Sequence, residues 1–117
     1  AGVVIGVGQG VEPSDYEVLD GLAGRIGAVV GATRKVTDRG WMPRARQIGI
    51  TGHSIAPALY LAVGISGRFN HMIGVRSAGT VVGVNTDPDC ELWDWCDVGV
   101  VGDWREVLEA LIPRLAK

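Results

Sequence analysis

Two glycine-containing segments of this sequence have residue types and spacings that could bind a phosphate. Gly6, Gly8 and Gly10 alternate with other residues after an apolar run, which suits close approach of a backbone to a phosphate, although the spacing is not that of the GxGxxG fingerprint. Ser66 and Gly67 follow another apolar run and begin a predicted helix, where exposed amides, the serine hydroxyl and the helix dipole would form an anion site. The alternatives are structural: glycines that merely turn the chain, and an ordinary serine cap.

Polar side chains that could face a bound nucleotide follow several of the apolar runs. Arg34 and Thr51 come after such runs, and His71 lies early in the helix that follows the second glycine segment. Asn85 and Asp103 each end a predicted strand, where a side chain can bind ribose hydroxyls or simply cap the backbone. The chain has two histidines and no GxSxG motif, so a hydrolase triad has no support. Residue types and spacing alone therefore predict a nucleotide-binding α/β domain.

The elements that must position these residues are short apolar strands alternating with helices. Ser14 and Glu17 form a capping box that predicts a helix over residues 14–27, and Asp103 with Glu106 forms a second capping pair before a C-terminal helix. This alternation is typical of a parallel, doubly wound sheet, in which ligands bind beyond the carboxyl ends of the strands. The predicted strands are the N-terminal run and residues 28–31, 47–50, 59–65, 80–85 and 98–101.

Composition excludes several classes of protein. The 117 residues include 18 glycines and 5 prolines, without the period of a collagen and below the share typical of disorder. A formal net charge of −2 makes nucleic acid a poor partner. Residues 48–67 lack Asp, Glu, Lys and Arg but include a proline and several glycines, so we do not expect a transmembrane helix. Cys90 and Cys96 match no common zinc spacing and are expected to be free thiols.

Several segments carry a resemblance to one known family. They are Val30-Gly31-Ala32-Thr33-Arg34, Gly40-Trp41-Met42-Pro43, Gln47-Ile48-Gly49-Ile50-Thr51-Gly52, the run from Ile55 to Gly67 followed by Asn70-His71, then Asn85-Thr86-Asp87-Pro88, Asp97 and Asp103. Together they resemble the C-terminal, FAD-binding domain of the electron transfer flavoprotein alpha subunit, over essentially the whole chain.

The resemblance implies a fold, a cofactor and partners. The fold would be Rossmann-like and doubly wound, with a mostly parallel six-stranded sheet and helices on both faces. Residues 1–117 would form a single FAD-binding domain, a fragment of a longer alpha subunit. The protein would be an electron carrier rather than an enzyme, passing electrons from flavoprotein dehydrogenases to a downstream acceptor. It would pair with a beta subunit, bind no nucleic acid and not insert into a membrane, in the bacterial cytoplasm or, in a eukaryote, the mitochondrial matrix.

Position by position, the resemblance assigns roles around the flavin ring. Arg34 would place positive charge near the ring, Thr51 would donate a hydrogen bond toward flavin N5, and His71 would lie near the N1–C2=O edge, where negative charge gathers on reduction.

Other residues would hold the rest of the cofactor. Ser66 and Gly67 would bind the pyrophosphate, Asn85 and Asp103 the adenosine side, and Thr33 the ring or the phosphates. The full cofactor-binding set that the resemblance implies is Gln9, Thr33, Arg34, Ile48, Gly49, Ile50, Thr51, Ser66, Gly67, Arg68, Phe69, Asn70, His71, Asn85, Asp103 and Trp104.

The sequence departs from the family at a few of these positions. Gln9 stands where the family commonly has arginine, and Ile50 stands where it has glutamine. His53 replaces a lysine, and Thr33 replaces a serine. Losing a cation at Gln9 and a polar contact at Ile50 is expected to weaken FAD binding and lower the potential of the flavin.

These departures leave two alternative functions open. The first is a divergent module that binds or senses AMP or NAD without redox activity. The second is an interaction domain in which Trp41, Trp93 and Trp95 form a docking patch, against the simpler interpretation that these rings pack in the core.

Overall fold

The computed structural model describes residues 2–8, 10–33, 36–37, 39–41, 58–65 and 78–115. The predicted strand at 47–50 and the predicted helix beginning at Ser66 lie outside the described residues.

The described strands form one parallel sheet. The strands are β1 (Val3–Val7), β2 (Val29–Ala32), β3 (Leu59–Val63), β4 (Thr80–Asn85) and β5 (Val98–Val101). Their order is β2-β1-β3-β4-β5, so the described part of the sheet has five strands rather than the six expected. The bounds predicted for β4 and β5 are confirmed, because their runs of valine form short strands between clear turn residues.

The strand order reverses direction between β1 and β3. From β1 the chain moves outward to β2, and it then returns to the other side of β1 to build β3, β4 and β5. Such a reversal is the topological switch point of a doubly wound sheet, and the crevice beyond it is where ligands bind. We use "carboxyl edge" for the edge of the sheet at which these parallel strands end.

Two α-helices have bounds that lie within the described residues, and they begin differently from one another. Helix α1 (Tyr16–Arg25) follows a 3₁₀ helix over Pro13–Asp15, and no side-chain hydrogen bond caps its first turn. The predicted Ser14 capping box is therefore wrong: Pro13 begins a 3₁₀ turn that takes Ser14 into it. Helix α2 (Trp104–Leu115) begins as predicted, with the Glu106 N–H donating to Asp103 Oδ2 at 3.3 Å.

Both helices cover the same face of the sheet. Leu19 and Leu22 of α1 and Leu108 and Ile112 of α2 pack with alternate residues of the strands in one buried cluster, whose strand members are Ile5, Val7, Val30, Ala32, Leu61, Val63 and Val84. Burial of these apolar side chains is the main favourable contribution to the free energy of folding of the domain.

The opposite face carries a row of the smallest residues. The strand register aligns Gly31, Gly6, Ala62, Gly83 and Gly99 across all five strands. A side chain from a neighbouring residue or element can therefore lie directly against the backbone of these strands.

The connection between β4 and β5 packs against this row of small residues. It contains a 3₁₀ helix, Glu91–Asp94, instead of an α-helix. A Cβ atom placed on Gly83 would lie 2.9 Å from Leu92 Cδ2, and one on Gly99 would lie 2.7 Å from Trp93 Cε3. Trp93 and Trp95 thus pack partly buried on this face, which favours the core interpretation of these rings over a docking patch.

Candidate functional site

The carboxyl edge brings together those predicted site residues that the structure describes. They are Thr33 after β2, Asn85 at the end of β4, and Asp103 and Trp104 after β5. The other predicted site residues lie outside the described residues: Gln9, Arg34, Ile48, Gly49, Ile50, Thr51, Ser66, Gly67, Arg68, Phe69, Asn70 and His71. Their roles stay predictions.

Three glycines form a tight junction at the switch point. The Gly8 N–H donates to the Val63 carbonyl at 2.9 Å, and the Gly10 N–H donates to the Gly64 carbonyl at 3.0 Å. Gly64 has φ +63°, and a Cβ atom placed there would lie 2.9 Å from the Gly10 Cα. The loop after β1 is therefore held against the residues that follow β3, at the point where a doubly wound sheet binds its ligand.

Thr33 lies beside the end of β1, and no other described residue hydrogen-bonds its hydroxyl. Its N–H donates to the Val7 carbonyl at 3.0 Å, and its own carbonyl accepts from Val36 and Thr37 at 3.2 Å each. The Oγ1 atom is buried and has no hydrogen-bond partner among the described residues. A buried hydroxyl that lacks a partner costs about 1–3 kcal/mol, so an atom of this kind at a ligand edge suits a hydrogen bond to a bound molecule.

Asn85 uses its side chain to join two neighbouring segments. Its Nδ2 donates to the Ile65 carbonyl at 2.8 Å, and its Oδ1 accepts from the Asp87 N–H at 2.9 Å. The backbone carbonyl of Asn85 accepts from the Gly102 N–H at 3.0 Å. The amide therefore holds the segment after β3 to the turn after β4.

Asp103 and Trp104 lie at the first turn of α2. Asp103 is exposed and caps the helix, whereas the Trp104 ring is 8 % exposed and belongs to the core beneath α1 and α2. Neither placement tests whether a ligand contacts these residues, so both stay predictions.

Sequence reasoning missed two features of this edge. The Ile65 carbonyl had no signal in the sequence, because its partner Asn85 lies twenty positions away. The Tyr16 hydroxyl, in the first turn of α1, is buried with no partner within the described ranges, and burial raises the pKa of this phenol. The sequence offers no cue for it, because a tyrosine on an amphipathic helix usually reaches water or a polar partner with its hydroxyl.

Charge is distributed unevenly along the carboxyl edge. Asp87 and Asp89 lie in the turn after β4 and Asp103 follows β5, and the sequence has no Lys, Arg or His from position 87 to position 103. Asp97, in contrast, precedes β5, and its Oδ2 accepts the Val81 N–H at 2.8 Å near the start of β4. Phosphate groups are therefore disfavoured near the ends of β4 and β5, since like charges repel.

Within the described ranges, no helix has both the length and the apolar character needed to cross a membrane.

Comparison with known proteins identifies one matching family. The family model described as "Electron transfer flavoprotein FAD-binding domain" matches residues 1–76. This match covers β1, β2 and β3, the glycine junction and Thr33.

Several curated proteins are similar over nearly the whole chain. The electron transfer flavoprotein subunit alpha of Thermoanaerobacterium thermosaccharolyticum is 37 % identical over 118 residues, which cover 100 % of this chain and 36 % of that protein. The mitochondrial electron transfer flavoprotein subunit alpha of Oryza sativa subsp. japonica is 41 % identical over 116 residues, covering 98 % of this chain and 32 % of that protein. Protein FixB of Rhizobium meliloti is 41 % identical over 118 residues, covering 100 % of this chain and 33 % of that protein. The chain thus spans about a third of the length of these curated relatives.

Proposed function

Because the chain belongs to the family of electron transfer flavoprotein FAD-binding domains, we propose that it binds FAD without a covalent bond and serves as an electron carrier, not as an enzyme. It receives electrons from flavoprotein dehydrogenases and passes them to a downstream acceptor. In this proposal residues 1–117 form one domain, the C-terminal FAD-binding domain of a longer alpha subunit that pairs with a beta subunit. It operates in the bacterial cytoplasm or the mitochondrial matrix.

The observation that carries the proposal is the unsatisfied hydroxyl of Thr33 at the carboxyl edge. Thr33 Oγ1 is buried beside the end of β1 and finds no partner in the part of the chain that the structure describes, so a hydrogen-bonding group of FAD would satisfy it. The described residues therefore offer a hydrogen-bonding group to FAD at this edge. When bound, the isoalloxazine ring supplies the chemistry, because it accepts and releases one or two electrons.

Charge supports one orientation of the cofactor along this edge. Asp87 and Asp89 after β4 and Asp103 after β5 disfavour phosphate, which favours the adenosine at this part of the edge, toward Asn85 and Asp103. The pyrophosphate is placed toward the switch point, with Ser66 and Gly67 as its proposed ligands. We assign the flavin ring to Arg34, Thr51 and His71, whose charge and hydrogen bonds would tune the reduction potential of the ring.

The first experiment asks whether the chain binds FAD at all. The purified 117-residue chain is titrated with FAD, and flavin fluorescence and the visible spectrum are recorded with and without a beta subunit. We expect quenching of the flavin fluorescence and a shift of the visible bands. No change at high micromolar FAD, even with a beta subunit, contradicts the proposal, and tighter binding of AMP or NAD than of FAD supports the non-redox alternative.

Replacing Thr33 by valine is expected to have opposite effects on the free protein and on FAD binding. The free protein should gain thermal stability, because an unsatisfied buried hydroxyl is replaced by a methyl group of similar shape. FAD affinity should fall about tenfold, which corresponds to about 1.4 kcal/mol. Thermal denaturation of the free protein and fluorescence titration measure the two effects.

Two control variants make this test specific to Thr33. Thr33→Ser keeps the hydroxyl and should hold FAD affinity within about threefold. Thr80→Val makes the same replacement at an exposed position at the start of β4, the opposite end of the sheet, and should change neither quantity. Full FAD affinity in Thr33→Val would contradict a hydrogen bond from this hydroxyl to the cofactor.

A further inference from the structure

The two residues that follow β3 are held from both sides by hydrogen bonds. On one side the Gly10 N–H donates to the Gly64 carbonyl at 3.0 Å. On the other side the Gly64 N–H donates to the Val84 carbonyl at 3.0 Å, and Asn85 Nδ2 donates to the Ile65 carbonyl at 2.8 Å. Of these three bonds, only the one from Asn85 is made by a side chain.

The Asn85 side chain is itself fixed in place. Its Oδ1 accepts the Asp87 N–H at 2.9 Å, which determines which end of the amide turns toward Ile65. The turn beyond is braced in the same way, because the Asp89 N–H donates to Asp87 Oδ1 at 2.9 Å and Trp93 Nε1 donates to the Asp87 carbonyl at 3.1 Å. The Trp93 ring packs on the sheet at Gly99, so the amide is oriented by a rigid part of the fold.

We propose that Asn85 is a positioning residue, whose amide fixes the Ile65 carbonyl and thereby holds the carboxyl edge beside the glycine junction in the arrangement that binds FAD. This inference rests on the proposed function for the identity of the ligand. The hydrogen bond to Ile65, in contrast, exists in the protein without any ligand. Asn85 therefore acts on the cofactor through Ile65, in addition to any contact that it makes with adenosine.

The decisive variant is Asn85→Asp, which has nearly the same shape. Its carboxylate still accepts the Asp87 N–H but cannot donate to the Ile65 carbonyl, so only the hydrogen bond to Ile65 is lost. In the protein without FAD, we expect the Gly64 amide to exchange with solvent at least about tenfold faster, because the end of β3 opens more easily. The Asp87 amide should keep its protection. NMR hydrogen exchange measures both amides.

The same variant should lower FAD affinity about tenfold in a fluorescence titration, because the carboxyl edge at Ile65 is no longer held in place before the ligand arrives. Thr86→Asp adds the same charge at the next, exposed position and should lose less than about threefold. Val30→Ala is the control for a general loss of stability, because it weakens the buried core on β2. In this variant the exchange rate of the Gly64 amide, divided by the exchange rates of the β1 amides, should stay unchanged.

Each outcome decides the inference. Unchanged Gly64 exchange in Asn85→Asp overturns it, even if FAD affinity falls, because a direct contact with adenosine then explains the loss. Faster exchange with full FAD affinity also overturns it, because the hydrogen bond from Asn85 to Ile65 then has no effect on the cofactor. If the unmodified chain binds no FAD, the proposed function fails, and the exchange data alone then decide whether Asn85 holds Ile65 in place.

Discussion

Replacing Gly64 by alanine is expected to lower the free energy of unfolding by about 3 kcal/mol, with contributions from backbone strain and from overpacking. Gly64 has φ +63°, a conformation that alanine adopts at a cost. The new Cβ atom would also lie 2.9 Å from the Gly10 Cα and 3.1 Å from the Val11 nitrogen. These atoms are backbone, so they cannot move aside as the end of a flexible side chain could. Urea denaturation followed by circular dichroism measures the loss.

Two other glycines separate the two contributions. Gly27 has φ +66° but nothing within 4 Å of an added Cβ, so Gly27→Ala should cost only the backbone term, about 1 kcal/mol. Gly24 lies in α1 with open space around it, so Gly24→Ala should stabilise the protein by about 0.5–1 kcal/mol. A Gly64→Ala loss no larger than that of Gly27→Ala would show that the junction with Gly10 is not tightly packed. If Gly64→Ala costs more than Gly27→Ala, we expect FAD affinity to fall together with the free energy of unfolding.

Replacing Gly6 by alanine is expected to cost about 3 kcal/mol, at the upper end of the usual range for overpacking a core. A Cβ atom at Gly6 would occupy the position of the Tyr60 hydroxyl and of part of its ring. Tyr60 is completely buried, so its ring has little space into which it could move. Burial also raises the pKa of this phenol, which keeps it neutral at ordinary pH. Thermal or urea denaturation measures the cost.

A double-mutant cycle tests whether the cost comes from this contact. Tyr60→Leu removes the outer part of the ring, so Gly6→Ala should cost about 2 kcal/mol less in that background than in the unmodified chain. Gly21→Ala, an exposed helical position with nothing within 4 Å of an added Cβ, is the control and should show no coupling to Tyr60. Additive effects of Gly6→Ala and Tyr60→Leu would contradict a direct contact between the two positions.

Local patterns predicted much of the described fold. The valine runs of β4 and β5 and the apolar stripe of α2 each depend on residues that are neighbours in sequence. The Asp103 cap succeeds for the same reason, because donor and acceptor are three residues apart. The Ser14 capping box fails although its spacing is right, because Pro13 starts a 3₁₀ turn before the α-helix can begin.

The candidate site was predicted as a set of positions but not as a set of contacts. That polar residues follow the strands is visible in the sequence, and parallel pairing then brings Thr33, Asn85 and Asp103 to the same edge. Which atoms are already used within the protein is not visible. Among the residues that the structure describes, the hydroxyl oxygen of Thr33 lacks a partner, whereas the amide of Asn85 has two.

The sequence by itself determined the class of this fold and the family, because periodicity and motifs are properties of short stretches of chain. Only the tertiary structure decided how the strands align. That alignment brings Gly31, Gly6, Ala62, Gly83 and Gly99 into one row and places Gly64 against Gly10. The physical reason is that register and close packing depend on residues distant in sequence, and no local propensity specifies which of them meet.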